Sequence, residues 1–234
     1  MTNGTVYLIP SLLDEEGVNT IPAYVLEAVK SCSVFFVENE RAARRYLKTI
    51  WREMNIDACN WYAVHKAEES VKSIFLDILK QGKTVGIISD AGCPGIADPG
   101  QLLVAAAQSY GAVVKPLVGP NSIILALMAS GMNGQHFRFR GYLPIEPGAR
   151  IKAIKAMEAE ATATHCTQIF IETPYRNNQL LEALLSACHG NTRLCLGIAL
   201  TSPDESVKTK TMTGWKKQKP DLNKKPVIFL LDGA

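Results

Sequence analysis

The chain has 234 residues, 47% of them hydrophobic and 20% charged, with a formal net charge of +3. That length can bury a real core as one large domain or two small ones, and the composition excludes a disordered chain. Apolar runs such as Val227 to Leu231 are far too short to span a membrane, and the first ten residues lack the basic flank and small-residue cleavage site of a secretion signal, so a cytoplasmic protein is expected.

In chain order, the β-branched runs Val6 to Ile9, Val34 to Val37, Val85 to Ile88 and Val113 to Val118 are of the kind that strands buried on both faces produce. Helical patterns lie between them. Pro22 opens one with Val25, Leu26 and Val29 on a common face, and Val71, Ile74, Phe75, Ile78 and Leu79 mark another that Gly82 closes. Strand and helix in alternation predict parallel βαβ units and an α/β domain over residues 1–133. Beyond Met132, the stretch from Asn133 to Arg150 holds three glycines and two prolines and reads as a linker into a second unit, 134–234. Two helical patterns follow, Ile151, Ile154 and Met157 on one and Leu181, Leu184, Leu185 and Cys188 on the other. Three apolar runs accompany them: Ile169 to Ile171, Leu194 to Leu200, and Val227 to Leu231. The last two flank a lysine-rich segment, which predicts a hairpin-like excursion on a mixed sheet. The fold expected is two α/β domains with a cleft between them.

Between Val207 and Lys225 there are seven lysines against one acid, Asp221, and Arg41, Arg44 and Arg45 crowd one helical stretch. Such patches fit contact with phosphate backbones, and a solvated hairpin and helix face account for them as well. The six cysteines are scattered, with no Cys-x-x-Cys pair and no clustered histidines. They signal neither a disulfide framework nor a metal site, and read as reduced apolar fillers.

Between Ser89 and Gly100 the chain breaks into three glycines, two prolines and two aspartates directly after a buried strand. In open α/β sheets ligands sit beyond the carboxyl ends of strands, and three loops fit that place: Ser89 to Gly95, Gly119 to Ser122, and Glu172 to Arg176. Glycine lets backbone approach a ligand, while Pro94 and Pro120 stiffen the loops. Ordinary turns, or Asp98 capping a helix that starts near Pro99, would explain any one of these residues alone. The dinucleotide and phosphate-loop glycine patterns are absent.

The run Ser-Asp-Ala-Gly-Cys-Pro-Gly-Ile-Ala-Asp-Pro-Gly, then Val118 to Met132, Phe137 to Pro144 and Ile169 to Arg176, resembles the tetrapyrrole methylase superfamily, nearest its branch of small-subunit ribosomal RNA ribose 2'-O-methyltransferases. The resemblance runs from Gly4 to the final Gly233. It implies a class III methyltransferase that binds S-adenosylmethionine in the interdomain cleft as a homodimer, with no metal and no membrane, and with ribosomal RNA or the small ribosomal subunit as partner. It implies cofactor contacts from Ser89, Asp90, Ala91, Gly92, Pro94, Ile96 and Ser122, with backbone contacts in the second domain around Glu172, Ile198, Ala199 and Pro226. Glu38, Arg41 and Glu172 are the candidates for acceptor contact or proton removal, with Arg176 as a phosphate partner and His65 ranked behind them.

The chain departs from that branch in three places. The turn after the first strand reads Ile9 to Glu16 without the branch's glycine, the next keeps only Glu38 and Arg41 of a Glu-Asp-Thr-Arg motif, and a charged segment is replaced by Gly197 to Ser202. A methyltransferase for a tetrapyrrole or other small molecule, and a cofactor-binding relative without catalysis, are the alternatives.

Overall fold

A computed structural model describes residues 3–64 and 68–233, which divide into two compact units, Met1–Asn121 and Ser122–Ala234. The first holds β1 (Thr5–Ile9), α1 (Tyr24–Lys30), β2 (Val34–Val37), α2 (Glu40–Ile50), β3 (Asn60–Ala63), α3 (Glu68–Lys80), β4 (Thr84–Ile88), α4 (Gln101–Tyr110) and β5 (Val113–Pro116). Its sheet runs β3-β2-β4-β1-β5, parallel throughout, with Thr5 opposite both Thr84 and Val113. Alternate residues of each strand feed opposite faces. Phe36, Val85 and Ile87 meet Phe75, Leu79 and Leu103 of α3 and α4, whereas Phe35, Val37 and Ile88 meet Val25, Val29 and Leu47 of α1 and α2. A continuous apolar strand is what burial on both faces requires, and β1, β2 and β4 meet that expectation, whereas the run from Val113 forms the edge strand β5, with Val113 exposed.

The strand β3 escaped notice because Asn60–Ala63 lies at the sheet edge, only partly buried, and carries no aliphatic run. Aromatic pairs hold it instead: Trp61 stacks on Phe35 and Tyr62 on Phe36, each at 4.9 Å between ring centroids.

The second unit holds α5 (Ser122–Ser130), β6 (Phe137–Tyr142), α6 (Pro147–Thr164), β7 (Thr167–Ile171), α7 (Asn177–Ala187), β8 (Arg193–Ile198), β9 (Ser206–Thr211), α8 (Met212–Lys217) and β10 (Val227–Asp232). Its mixed sheet runs β6-β7-β10-β8-β9; β6 and β7 are parallel and the other pairs antiparallel. The expected hairpin is β8 with β9, which pair from Arg193–Thr211 to Ile198–Ser206. One face packs Leu194, Leu196 and Phe229 on Ile154, Leu181 and Trp215 of α6, α7 and α8. The opposite face takes α5, where a Cβ on Gly197 would stand 3.0 Å from that of Ala126.

Two expectations need correction. The stretch taken as a linker contains β6, an edge strand whose alternating aromatics and arginines were masked by its glycines and prolines. The division between units falls after Asn121 rather than after Asn133, because α5 packs on β8, β9 and β10.

Candidate functional site

In the first unit, the loops leaving β1, β2, β4 and β5 at the carboxyl edge of the parallel sheet are laced together. The Ser11 amide donates to Gly92 O at 2.8 Å and its hydroxyl donates to Ser89 O at 2.8 Å. Glu38, just past β2, accepts the Asp90 N–H on Oε2 at 3.0 Å. The Cys93 thiol donates to Pro120 O at 3.6 Å, and the buried Tyr46 hydroxyl donates to Pro10 O at 2.6 Å. Gly119 lies against the Pro10 ring so closely that a Cβ there would fall 2.1 Å from Pro10 Cβ.

The Ser89–Gly100 loop bends through Gly92 at φ +73°, Gly95 at +77° and Gly100 at +120°, a region that side chains disfavour. Ser89 and Pro94 are buried, Ala91 and Ile96 exposed. The Ala91 amide makes no hydrogen bond among the described residues, while Gly92 is bridged to Ser11 in antiparallel fashion. The loop therefore offers a donor on a fixed frame, beside a cavity of about 410 Å³ lined by Ser11, Leu13, Arg45, Tyr46, Asp90 and Ala91 among others.

The charge here is negative. Burial, reinforced by Glu38 and Asp90, pushes the Asp98 carboxyl up to about 6. The alternative that Asp98 caps a helix falls away, because α4 starts beyond it with Gly100 as the N-cap. A carboxyl raised in the fold binds its proton more tightly folded than unfolded, so its ionisation costs stability as pH climbs from about 4 to about 6. Asp98→Asn is expected to stabilise the protein by about 1–2 kcal/mol at pH 7.5, after allowance for partial exposure, and by nothing below pH 4. Urea unfolding at the two pH values reads the difference; an equal effect at both would mean that the Asp98 charge is not the source.

Of the three arginines in α2, Arg44 pairs with Glu40 at 2.6 Å and lies over the Trp61 ring, and Arg45 pairs with Glu15 at 2.8 Å. Arg41 is exposed and has no polar partner among the described residues. His65 lies outside the described residues.

In the second unit, three segments meet at one end of the sheet. Lys224 N–H donates to Pro174 O at 3.1 Å, Asn177 donates to Lys225 O at 2.7 Å, and Ala199 N–H donates to Pro226 O at 2.9 Å. The structure thus gathers Glu172, Ile198, Ala199 and Pro226, far apart in sequence, around the ends of β7, β8 and β10. Glu172 is closed to solvent: Oε1 accepts from Thr173 N–H at 2.7 Å and from Arg176 Nε and Nη2 at 3.1 and 2.8 Å. Ala199 and Thr201 hold left-handed conformations at φ 47° and 70°, a strain that persists where the surroundings over-determine it. Ser122 opens α5 and is half-buried.

All six cysteines are free, and burial pushes the Cys32 and Cys188 thiols up to about 12, as packing groups should be. Among the described residues no group of three or more His, Cys, Asp or Glu could hold a metal, and no helix is long and apolar enough to cross a membrane. The residues that sequence reasoning missed are the lacing ones, Ser11, Tyr46 and the Pro10–Gly119 contact, whose roles depend on partners distant in the chain.

The sequence pattern of the Tetrapyrrole (Corrin/Porphyrin) Methylases matches residues 17–214. The ribosomal RNA small subunit methyltransferase I of Micromonospora olivasterospora is 34% identical over 203 residues, covering 87% of this chain and 61% of its own length. Its counterpart from Vibrio cholerae serotype O1 is 30% identical over 232 residues, covering 97% and 77%. The chain thus spans about three fifths of the length of the first of these relatives. Among solved structures, the methyltransferase CobJ matches with a TM-score of 0.65 at 15% identity, covering 100% of this chain and 95% of the other. The uroporphyrin-III C-methyl transferase from Thermus thermophilus, complexed with S-adenyl homocysteine, matches at 0.56 and 14%, covering 98% and 97%. A family pattern over most of the chain, carried on the same two-unit α/β fold, makes this protein a member of the tetrapyrrole (corrin/porphyrin) methylases.

Proposed function

We propose that the chain is an S-adenosylmethionine-dependent methyltransferase acting on a ribose 2'-hydroxyl of small-subunit ribosomal RNA, as a homodimer in the cytoplasm. The observation that carries the reading is the Ser89–Gly100 loop, bent through Gly92 and Gly95 and tied to the loops after β1, β2 and β5. The relatives named ribosomal RNA small subunit methyltransferase I support the acceptor.

The residues fit the cofactor. Gly92 holds φ +73°, and a Cβ there would lie 3.3 Å from Leu13 and 3.4 Å from Pro120 O, so backbone conformation and close neighbours together favour glycine. Within the first unit, Ser89, Asp90, Ala91, Gly92, Pro94 and Ile96 would hold the cofactor. Bound there, S-adenosylmethionine supplies a methyl group made electrophilic by its sulfonium.

The chain's own task is to place the acceptor and take its proton. Glu38 spends Oε2 on the Asp90 amide, which fixes the carboxylate; Oε1 has no partner among the described residues and would accept the hydroxyl proton. Arg41, three residues on and exposed, would hold a phosphate of the acceptor strand. Glu172, closed to solvent, would act on the acceptor through Arg176, which it positions. The exposed Lys208, Lys216, Lys217, Lys219, Lys224 and Lys225 favour a polyanionic acceptor over a small one.

The test is calorimetric titration with S-adenosylmethionine, alongside transfer of labelled methyl to unmodified small ribosomal subunits. Cofactor binding with label on a ribose oxygen is the expected result. Transfer to a tetrapyrrole acid in place of RNA would replace this acceptor, and absence of cofactor binding would sink the reading.

A further inference from the structure

The strands β6 and β7 run parallel with Tyr142 opposite Ile171, so the loops that follow them leave the second sheet at the same end. Between them lies a recess of about 510 Å³ lined by Tyr142, Leu143, Pro144, Ile145, Thr173 and Arg176. Tyr142, Ile145 and Tyr175 are 60%, 64% and 74% exposed. Neither tyrosine makes a hydrogen bond or ring contact among the described residues. Apolar surface left open in this way costs stability, and it is informative where it clusters.

The backbone beneath these rings is not slack. Arg176 N–H donates to Thr173 O at 2.9 Å, Thr173 N–H to Glu172 Oε1 at 2.7 Å, and Lys224 N–H to Pro174 O at 3.1 Å, so the loop carrying Tyr175 is tied at three points. The other wall is tied from below: the buried Arg150 donates through Nε to Pro144 O at 2.9 Å and through Nη2 to Ile145 O at 2.6 Å. Rigid loops that present open aromatic rings are preorganised for stacking.

Charge selects the class of ring. Glu172 fixes Arg176 through Nε and Nη2 and leaves Nη1 without a partner among the described residues. The exposed Lys224 and Lys225 adjoin the same loop. The acids nearby are engaged: Glu172 through Oε1 on Arg176, its Oε2 buried away from the surface, Glu146 on the amides of Gly148 and Ala149, and Asp221 on Asn178 and the Asn223 amide. Planar rings beside a spare guanidinium donor, on a loop that the Lys224 and Lys225 backbone adjoins, suit a base and its phosphate together.

We propose that this recess docks an unpaired nucleotide of the RNA acceptor strand, its base stacked on Tyr142 in the lining, beside Tyr175 of the loop between Thr173 and Arg176, and its phosphate on Arg176 Nη1. The inference rests on the RNA-methyltransferase reading and adds a recognition site to it.

The test is fluorescence anisotropy with a labelled single-stranded RNA of about 12 nucleotides, on the wild type and on Tyr142→Ala, Tyr175→Ala and Tyr175→Phe, with transfer to ribosomal subunits assayed in parallel. At least one alanine variant is expected to bind RNA about tenfold more weakly, Tyr175→Phe to stay within about twofold of wild type, and calorimetric affinity for S-adenosylmethionine to be unchanged in all. Unchanged RNA affinity in both folded alanine variants overturns the recess, and if methyl transfer persists the wider reading stands without it. Tyrosine-dependent RNA binding with no transfer supports the recess and fails the enzyme reading. A wild type that binds no RNA, or binds a carboxylated tetrapyrrole at these tyrosines instead, overturns the recess.

Discussion

Gly92→Val is expected to weaken S-adenosylmethionine binding by about a hundredfold or more, equivalent to about 2.7 kcal/mol, in a protein that still folds. Two effects add. The residue sits at φ +73°, where a β-branched side chain is strained by about 1–3 kcal/mol. A Cβ would also sit 3.3 Å from Leu13 Cδ2 and 3.4 Å from Pro120 O, so the two valine methyls beyond it have little room, and relief of the strain displaces the loop that the cofactor is proposed to touch. The displacement carries Gly92 O away from the Ser11 amide and loosens the tie to β1. Calorimetry measures the affinity and circular dichroism the fold; wild-type affinity in a folded variant would remove this loop from the cofactor site. Gly92→Ala, lacking the branched methyls, should fall between the two.

The largest effect on stability is expected at Gly119, for a different reason. Its backbone is unremarkable in φ, but a Cβ would stand 2.1 Å from Pro10 Cβ and 2.4 Å from Pro10 Cγ. No rotamer change can relieve a contact between a backbone-fixed carbon and a ring. Gly119→Ala must part the loops after β1 and β5, at a cost on the order of 3 kcal/mol or more. A fall in melting temperature of about 10 °C follows for a unit of this size. Adding Pro10→Gly removes the opposing carbon and should restore part of the loss, a coupling that two independent destabilisations would not give. Additive losses in the double variant would show that the Pro10 contact is not what Gly119 protects.

These two glycines mark how far the sequence could be read. Gly92 was legible because a glycine-rich break after a buried strand has few explanations, and its positive φ is one of them. The role of Gly119 was not, because it depends on Pro10 at the other end of the first unit, and no spacing rule links them. The same contrast runs through the strands. β1, β2, β4 and β10 announce themselves as aliphatic runs because both their faces are covered. β3, β6 and β9 are edge strands whose exposed positions carry Asn60, Arg138 and Lys208, so their patterns resemble loops. Glu38, Arg41 and Glu172 were singled out as candidates by the resemblance; that Glu172 would be sealed beneath Arg176 could only come from the packing.

The strand order of the second sheet has a consequence for how the protein is made. β10, at Val227–Asp232, lies in the middle of that sheet, bonded to β7 on one side and β8 on the other. Until it has left the ribosome, β7 and β8 each lack their shared neighbour, and Phe170, Leu194 and Leu196 lack Phe229 and Leu231 to pack against. The first unit has all its strands once Pro116 is out and can close early. The second must wait for Asp232, exposing apolar surface throughout synthesis, so nascent chains stalled just short of it are the ones that should need a chaperone.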